Sequence, residues 1–256
     1  MAHDRRQNES DVDLNRNWGR DRGEPDHNDA YDEVHHLACP DSPDVPDVGA
    51  LLAQTGPLVE ARGAEWVRNA ITKGQFRHAD GLHFGGDRTE ESTQIVERVV
   101  VPRLRTCEQV FVLDLHTGHG ASGEIVTLSD QPEGSRQDRI LRDLFDTVEA
   151  TAARPDGTSR VKAGPFARGI ADDLPDADPL VATVEVGTAG DLDQLAATYQ
   201  EQWVYRHGDL SDPTHRAVRW CYRCCFTPDD PDWEQAALAG LRRHVDAAVA
   251  CVVDGF

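Results

Sequence analysis

The chain has 256 residues, with 46 acidic against 26 basic side chains and a formal net charge of −20. A chain of this length can bury one large core, so we expect a single domain over residues 1–256. The acidic excess is offset by no basic stripe, which argues against a nucleic-acid partner. No secretory signal or long apolar run is visible, so we expect a cytoplasmic protein with no membrane partner.

The predicted elements begin after a polar, loop-rich segment over residues 1–48, which carries the motif VDLNRNW (12–18). The α/β core is expected over residues 49–256. Apolar spacing predicts a helix over 49–72, glycines predict a loop over 74–86, and a second helix is expected over 89–105. A short β-branched run then predicts a buried strand over 111–115.

Further along the chain, strands and helices continue to alternate. We expect a strand over 123–129, a helix over 136–152, an extended piece over 160–165 and a strand over 180–184. Helices are predicted over 190–206, 213–225 and 232–253. This alternation indicates an α/β layered fold with a mostly parallel sheet.

Two of the predicted strands end in residues suited to catalysis. His116 ends the first strand and Glu185 ends the second, and ligands of parallel sheets bind at the carboxyl ends of the strands. A histidine can bind a metal there, and a glutamate can act as a general base. Asp114 lies two residues before His116, hence on the same face, where it could orient the imidazole or cap the turn.

Each of these residues also has a purely structural interpretation. Glu185 interrupts an apolar strand, and an unpaired buried carboxylate is costly, so its alternative is a salt bridge with a core arginine. His119 is favoured as an ordinary loop histidine, and the cysteines of WCYRCCF (220–226) are favoured as packing residues. Arg16, beside Asn15, could grip a carboxylate bidentately or pair with one of the nearby acids.

A family resemblance comes from three segments in order, VDLNRNW, DLHTG and TVEVGT. Together they resemble the zinc carboxypeptidase superfamily, and GQFRHADGLHFGG (74–86), YRHGD (205–209) and PDDPDW (228–233) resemble a little-characterised microbial branch of it. The resemblance extends from about residue 7 to the end of the chain. It implies a mixed, mostly parallel sheet flanked by helices in a three-layer sandwich.

The resemblance also implies roles for individual residues. His116 matches the third zinc ligand of the family, Glu185 its general base, and Asn15 with Arg16 the pair that holds the substrate carboxylate. Asp114 matches a variant found in the amidohydrolase branches, where it would orient His116. Tyr205 is the candidate for the tyrosine that caps the substrate.

One expected motif is absent from the sequence. The family takes its first two zinc ligands from an HxxE motif upstream of DLNRN, and no histidine of this chain is followed by glutamate three residues later. We therefore expect a chain that begins late and lacks the first strands of the fold. His27, His35 and His36 lie downstream of DLNRN in a polar stretch, and we do not favour them as replacement ligands.

The resulting expectation is a zinc-dependent hydrolase that cleaves an amide bond next to a carboxylate, inactive if the missing ligands are not replaced. Its substrate would be a small peptide. The alternatives are an N-acyl amino acid deacylase of the aspartoacylase or succinylglutamate desuccinylase kind, since those relatives share the DLNR and DLH segments, and a non-catalytic truncated remnant.

The scarcity of lysine predicts that the thermal stability of the protein depends on salt concentration. Only Lys73 and Lys162 are lysines, and a lysine-poor acidic surface is typical of proteins adapted to a salty cytoplasm. We expect the melting temperature to rise between low and molar KCl, because cations screen the repulsion among the acids. A melting temperature that stays flat across this range would contradict the prediction.

Overall fold

The computed structural model describes residues 5–23, 27–151 and 165–255. Its contacts divide the chain into two compact units, each formed from separate stretches of sequence. Unit 1 contains the described residues of 1–89 and 190–226, and unit 2 those of 90–161, 165–189 and 227–256. This division does not follow the predicted boundary at residue 48, and the single domain over 1–256 stays a prediction.

The described residues form helices and strands in the following chain order. The helices are α1 (Asp29–Ala38), α2 (Val48–Arg62), α3 (Ala64–Thr72), α4 (Glu91–Ile95), α5 (Val101–Leu104), α6 (Arg136–Leu144), α7 (Phe166–Asp172), α8 (Asp191–His207), α9 (Pro213–Phe226) and α10 (Pro231–Asp254). A π-turn over Val96–Val100 joins α4 to α5, and short 3₁₀ turns cover Leu14–Arg16 and Arg20–Arg22. The strands are β1 (Phe111–Gly118), β2 (Ile125–Ser129), β3 (Val148–Ala150) and β4 (Leu180–Gly187).

Three predicted elements differ from the structure. The expected helix over 49–72 is two helices, because Gly63 adopts a φ of +88° between α2 and α3. The expected helix over 136–152 ends at Leu144, where Phe145 turns extended and the chain enters β3. Within the predicted loop segment 1–48, α1 buries Tyr31 and Val34. The extended piece expected over 160–165 lies almost wholly outside the described residues.

Unit 2 contains a four-stranded mixed sheet in the order β1-β4-β2-β3. The pairs β1–β4 and β2–β3 are parallel, and β2–β4 is antiparallel. The predicted α/β class with a mixed, mostly parallel sheet is therefore confirmed. β4, one of its two inner strands, is buried along nearly its whole length, as its run of small and β-branched apolar residues predicts.

Helices cover the two faces of this sheet differently. On one face, Leu141 of α6 and Phe145 pack against Ala182, and Ala237 of α10 packs against Val186. On the other face, α7 packs its alanines only against the beginning of the strands, at Val112 and Val181. The carboxyl ends of β1 and β4 on this second face therefore extend beyond α7.

None of the helices in the described part of the chain is both long and apolar enough to cross a lipid bilayer. The cytoplasmic location expected from the sequence stays a prediction.

In unit 1, Asp13 is the polar centre of the segment that carries DLNRN. Its side chain is 2 % exposed, and Oδ1 accepts a hydrogen bond from the Asn15 N–H at 3.0 Å. Oδ2 lies 2.9 Å from Nε of Arg6, 3.8 Å from Nη1 of Arg16 and 2.9 Å from Nδ1 of His83. One carboxylate thus connects the N-terminal residues, the 3₁₀ turn and the 74–86 loop.

The charges around Asp13 set the pKa values of this cluster. Burial alone would raise the pKa of Asp13, but Arg6, Arg16 and the His83 hydrogen bond outweigh it, so that pKa lies well below its usual value. Burial, assisted by the two arginines, lowers the pKa of His83 to about 4 despite the bond to Asp13. His83 is therefore neutral at pH 7 and donates its Nδ1–H to Asp13.

The lowered pKa of His83 predicts a loss of stability in mild acid. Between about pH 6.5 and 4 the unfolded chain binds a proton at His83 that the folded chain does not, so the free energy of unfolding falls as pH decreases. His83→Asn keeps a donor for Asp13, tolerates the φ of +55° at this position and does not titrate. We expect this variant to lose on the order of 3 kcal/mol less than the wild type across that range.

The measurement is chemical unfolding at several pH values from 7 to 4, with His36→Gln as the control because His36 is exposed on α1. If the free energy of unfolding falls equally steeply with decreasing pH in the wild type and in His83→Asn, His83 is not the source of this pH dependence.

Candidate active site

The central feature of the candidate site is the register between β1 and β4. In this parallel pair His116 and Glu185 are directly opposite each other, and Asp114 is opposite Thr183. Neighbouring strands lie about 4.8 Å apart and opposite residues share a face, so the imidazole and the carboxylate leave the sheet side by side. Both lie at the carboxyl ends of their strands, beyond the part of this face that α7 covers.

Asp114 contacts the imidazole of His116. Its Oδ2 lies 2.9 Å from His116 Nε2, and both side chains are about one-fifth exposed. A carboxylate on one imidazole nitrogen orients the ring and leaves the other nitrogen for a different partner. The contact follows from the strand period of two, which places residues 114 and 116 on the same face.

Glu185 is 7 % exposed in β4, an inner strand of the sheet. Its Oε2 is buried without a hydrogen-bond partner, and none of the ion pairs among the described residues includes it. The alternative of a core arginine bound to Glu185 is therefore not observed in this part of the chain. Because a buried carboxylate oxygen without a partner is unfavourable, this oxygen is suited to bind a water or another ligand.

The end of β4 is held by the loop that follows β1. The N–H of Gly123 donates to the Gly187 carbonyl at 2.9 Å, and the indole N–H of Trp233 donates to the same oxygen at 2.8 Å. A Cβ on Gly187 would lie 1.9 Å from the carbonyl oxygen of Ala121, so only glycine permits this approach. These contacts fix the backbone two residues beyond Glu185.

His119 lies on that loop and contacts β3. Its Nε2 is 2.9 Å from Oε2 of Glu149, and both side chains are roughly two-fifths exposed. This ion-pair geometry agrees with the interpretation of His119 as a loop histidine.

Asn15 and Arg16 belong to unit 1, whereas Asp114, His116 and Glu185 belong to unit 2. Arg16 is 1 % exposed and donates through Nη1 to the Asn15 carbonyl and through Nη2 to the Thr72 carbonyl, each at 2.7 Å. Gly74, at a φ of +103°, makes room for its stem, since a Cβ there would lie 2.6 Å from Arg16 Cδ. Burial lowers the pKa of Arg16 to about 10. The guanidinium of Arg16 thus links the backbone at Asn15 to the backbone at Thr72. To bind a substrate carboxylate, it would have to release both carbonyls.

Tyr205, the candidate capping residue, is also engaged within unit 1. The guanidinium carbon of Arg5 lies 3.5 Å from the centre of its ring, and 41 % of the tyrosine is exposed.

The described residues do not complete a zinc site at His116. A catalytic zinc ordinarily has three protein ligands and a water. Among the residues that the structure describes, the one group of three potential ligands within 4.8 Å of one another is His35, His78 and Asp80, in unit 1. At the end of β1, His116 and Asp114 therefore provide two donors in contact, and Glu185 does not lie close enough to both to act as the third.

Sequence reasoning considered His35 but did not identify His78 and Asp80. The available signal was the spacing His-x-Asp within the glycine-rich loop 74–86. Nothing in the sequence showed that this loop packs beside the end of α1. The packing role expected of the α9 cysteines is not clearly observed, because Cys221 is exposed and Cys224 and Cys225 are only half-buried.

Comparisons with known proteins give one family. No curated protein and no solved structure matches the chain. A family model, described as a protein of unknown function (DUF2817), matches residues 1–240. This match covers nearly the whole sequence, and the chain is therefore a member of the DUF2817 family.

Proposed function

We propose that this chain is a hydrolase of the zinc carboxypeptidase kind, acting on an amide bond next to a carboxylate. The observation that carries the proposal is the β1–β4 register, which pairs His116 with Glu185 at the carboxyl ends of two parallel strands. A mixed sheet with α6 and α10 on one face and α7 on the other is also compatible with the three-layer sandwich of that superfamily.

In this proposal Glu185 is the general base. Its buried Oε2 has no partner among the described residues, so it can accept a proton from a water and pass it to the departing amine. His116 is the metal ligand, oriented by Asp114 at 2.9 Å. Zinc is inferred from the resemblance alone, and because the described residues supply only two adjacent donors, no step is derived through the metal.

The proposed substrate is a small peptide, with an N-acyl amino acid as the alternative. Both have a carboxylate next to the scissile amide, and Asn15 with Arg16 is the proposed clamp for that group. This role requires the guanidinium of Arg16 to exchange the carbonyls of Asn15 and Thr72 for the substrate carboxylate.

Substitutions at the two strand ends test the catalytic assignment. With zinc present, we expect Glu185→Gln to keep bound zinc and to lower turnover by about 10²- to 10⁴-fold, because the amide cannot accept the proton. For a form that binds zinc at His116, we expect His116→Ala to lose that equivalent. Turnover and metal content are measured on both variants, with His119→Gln as the control because His119 pairs with Glu149.

Assays of peptides and N-acyl amino acids separate the two substrate classes. Cleavage of N-acyl amino acids alone would replace the peptidase by the deacylase. Full turnover by Glu185→Gln would remove Glu185 from the mechanism. Absence of both hydrolysis and zinc binding at His116 would identify a non-catalytic member of the family.

A further inference from the structure

A second group of potential metal ligands lies in unit 1. One ring nitrogen from each of His35 and His78 and a carboxylate oxygen of Asp80 all lie within 4.8 Å of one another. None of these residues belongs to the proposed hydrolytic site. Two imidazoles and one carboxylate form a donor set that zinc and related divalent metals bind.

The backbone that carries two of these ligands is held by buried polar contacts. Gln75, which is 2 % exposed, donates through Nε2 to the His78 carbonyl at 2.7 Å and accepts the His78 N–H through Oε1 at 2.8 Å. The Asp80 carbonyl accepts hydrogen bonds from Gln202 Nε2 at 2.8 Å and from the Cys39 thiol at 3.2 Å. The third ligand, His35, lies in the last turn of α1. All three side chains therefore extend from fixed backbone.

The distance between two of the donors suits a metal ion. His35 Nε2 lies 3.3 Å from Asp80 Oδ1. Two ligands of a tetrahedral zinc ion, each bonded at about 2.0–2.1 Å, lie about 3.3–3.4 Å apart. The other oxygen of Asp80 is 3.2 Å from Nη2 of Arg206, so the carboxylate keeps Oδ1 for the ion while Arg206 fixes its orientation.

The residues around the three ligands also supply a further carboxylate, and the exposure of the site gives a metal ion access to it. Nε2 of His78 lies 2.8 Å from Oδ1 of Asp32, a histidine–carboxylate contact of the kind that supports metal-binding imidazoles. His78 is 31 % exposed and Asp80 50 %, which leaves a path for an ion and a position for a water ligand.

We propose that His35, His78 and Asp80 bind a divalent transition-metal ion, with Zn²⁺ as the probe, and that the ion joins α1 to the 74–86 loop. The protein supplies three ligands from two elements, and water completes the coordination. Without the metal, the same residues make a hydrogen-bonded network that includes Asp32 and Arg206.

The test is zinc titration of the full chain by calorimetry, together with the visible absorption of the Co²⁺ form. We expect His35→Gln and Asp80→Asn each to remove one zinc equivalent, and Asp32→Asn to weaken binding about 10- to 100-fold through the orientation of His78. His36→Gln, one residue from His35 but exposed on α1, should bind as the wild type does. Circular dichroism of each variant verifies that it is folded.

The outcomes also separate this site from the hydrolytic one. Loss of one equivalent in His35→Gln supports the proposal, whether or not His116→Ala loses a separate equivalent and whatever happens to hydrolysis. Zinc binding that is unchanged in folded His35→Gln and Asp80→Asn overturns it, as does a wild-type chain that binds no zinc. A single zinc equivalent lost only in His116→Ala would overturn this proposal while supporting the hydrolytic site.

Discussion

The parallel pairing of β1 with β4 is the constraint on which the candidate active site depends. It makes His116 and Glu185 direct neighbours although 68 residues separate them in the chain. A slip of one residue would place the two side chains on opposite faces, because side chains alternate along a strand. The buried apolar residues of β4 oppose such a slip, since it would also turn Ala182 and Val184 away from their packed face.

The two faces of the sheet therefore carry different kinds of residues. The face under α6 and α10 is apolar and supplies the core of unit 2. The opposite face packs against α7 at the beginning of β1 and β4, and its far end carries Asp114, His116 and Glu185, with the buried Val126 of β2 opposite Glu185. The close approach of Gly187 to Ala121 holds the strand end, so Glu185 lies on rigid backbone although its own Oε2 has no partner among the described residues. Rigid backbone beneath an unsatisfied polar atom is a common arrangement at binding sites.

Unit 1 is organised by buried charge. Asp13 holds Arg6, Arg16 and His83, and Arg5 lies between Asp11 and Glu201 with its guanidinium over Tyr205. Removing one partner from such a cluster leaves an uncompensated buried charge, so these residues act as a set. The 74–86 loop belongs to the same arrangement, because it contributes His83 to Asp13 and brings His78 and Asp80 to the end of α1.

The sequence by itself determined the α/β class and the two strands that carry His116 and Glu185 near their carboxyl ends, and it placed Asp114 on the same face as His116, because strand periodicity is local. Local pattern also identified the glycine-rich loop over 74–86. Only the tertiary structure decided that 136–152 divides into α6 and β3, that Arg16 bonds to the carbonyls of Asn15 and Thr72, and that His35 meets His78 and Asp80. These features depend on contacts between residues distant in the chain, and a side chain's partners are set by packing, which no spacing along one segment encodes.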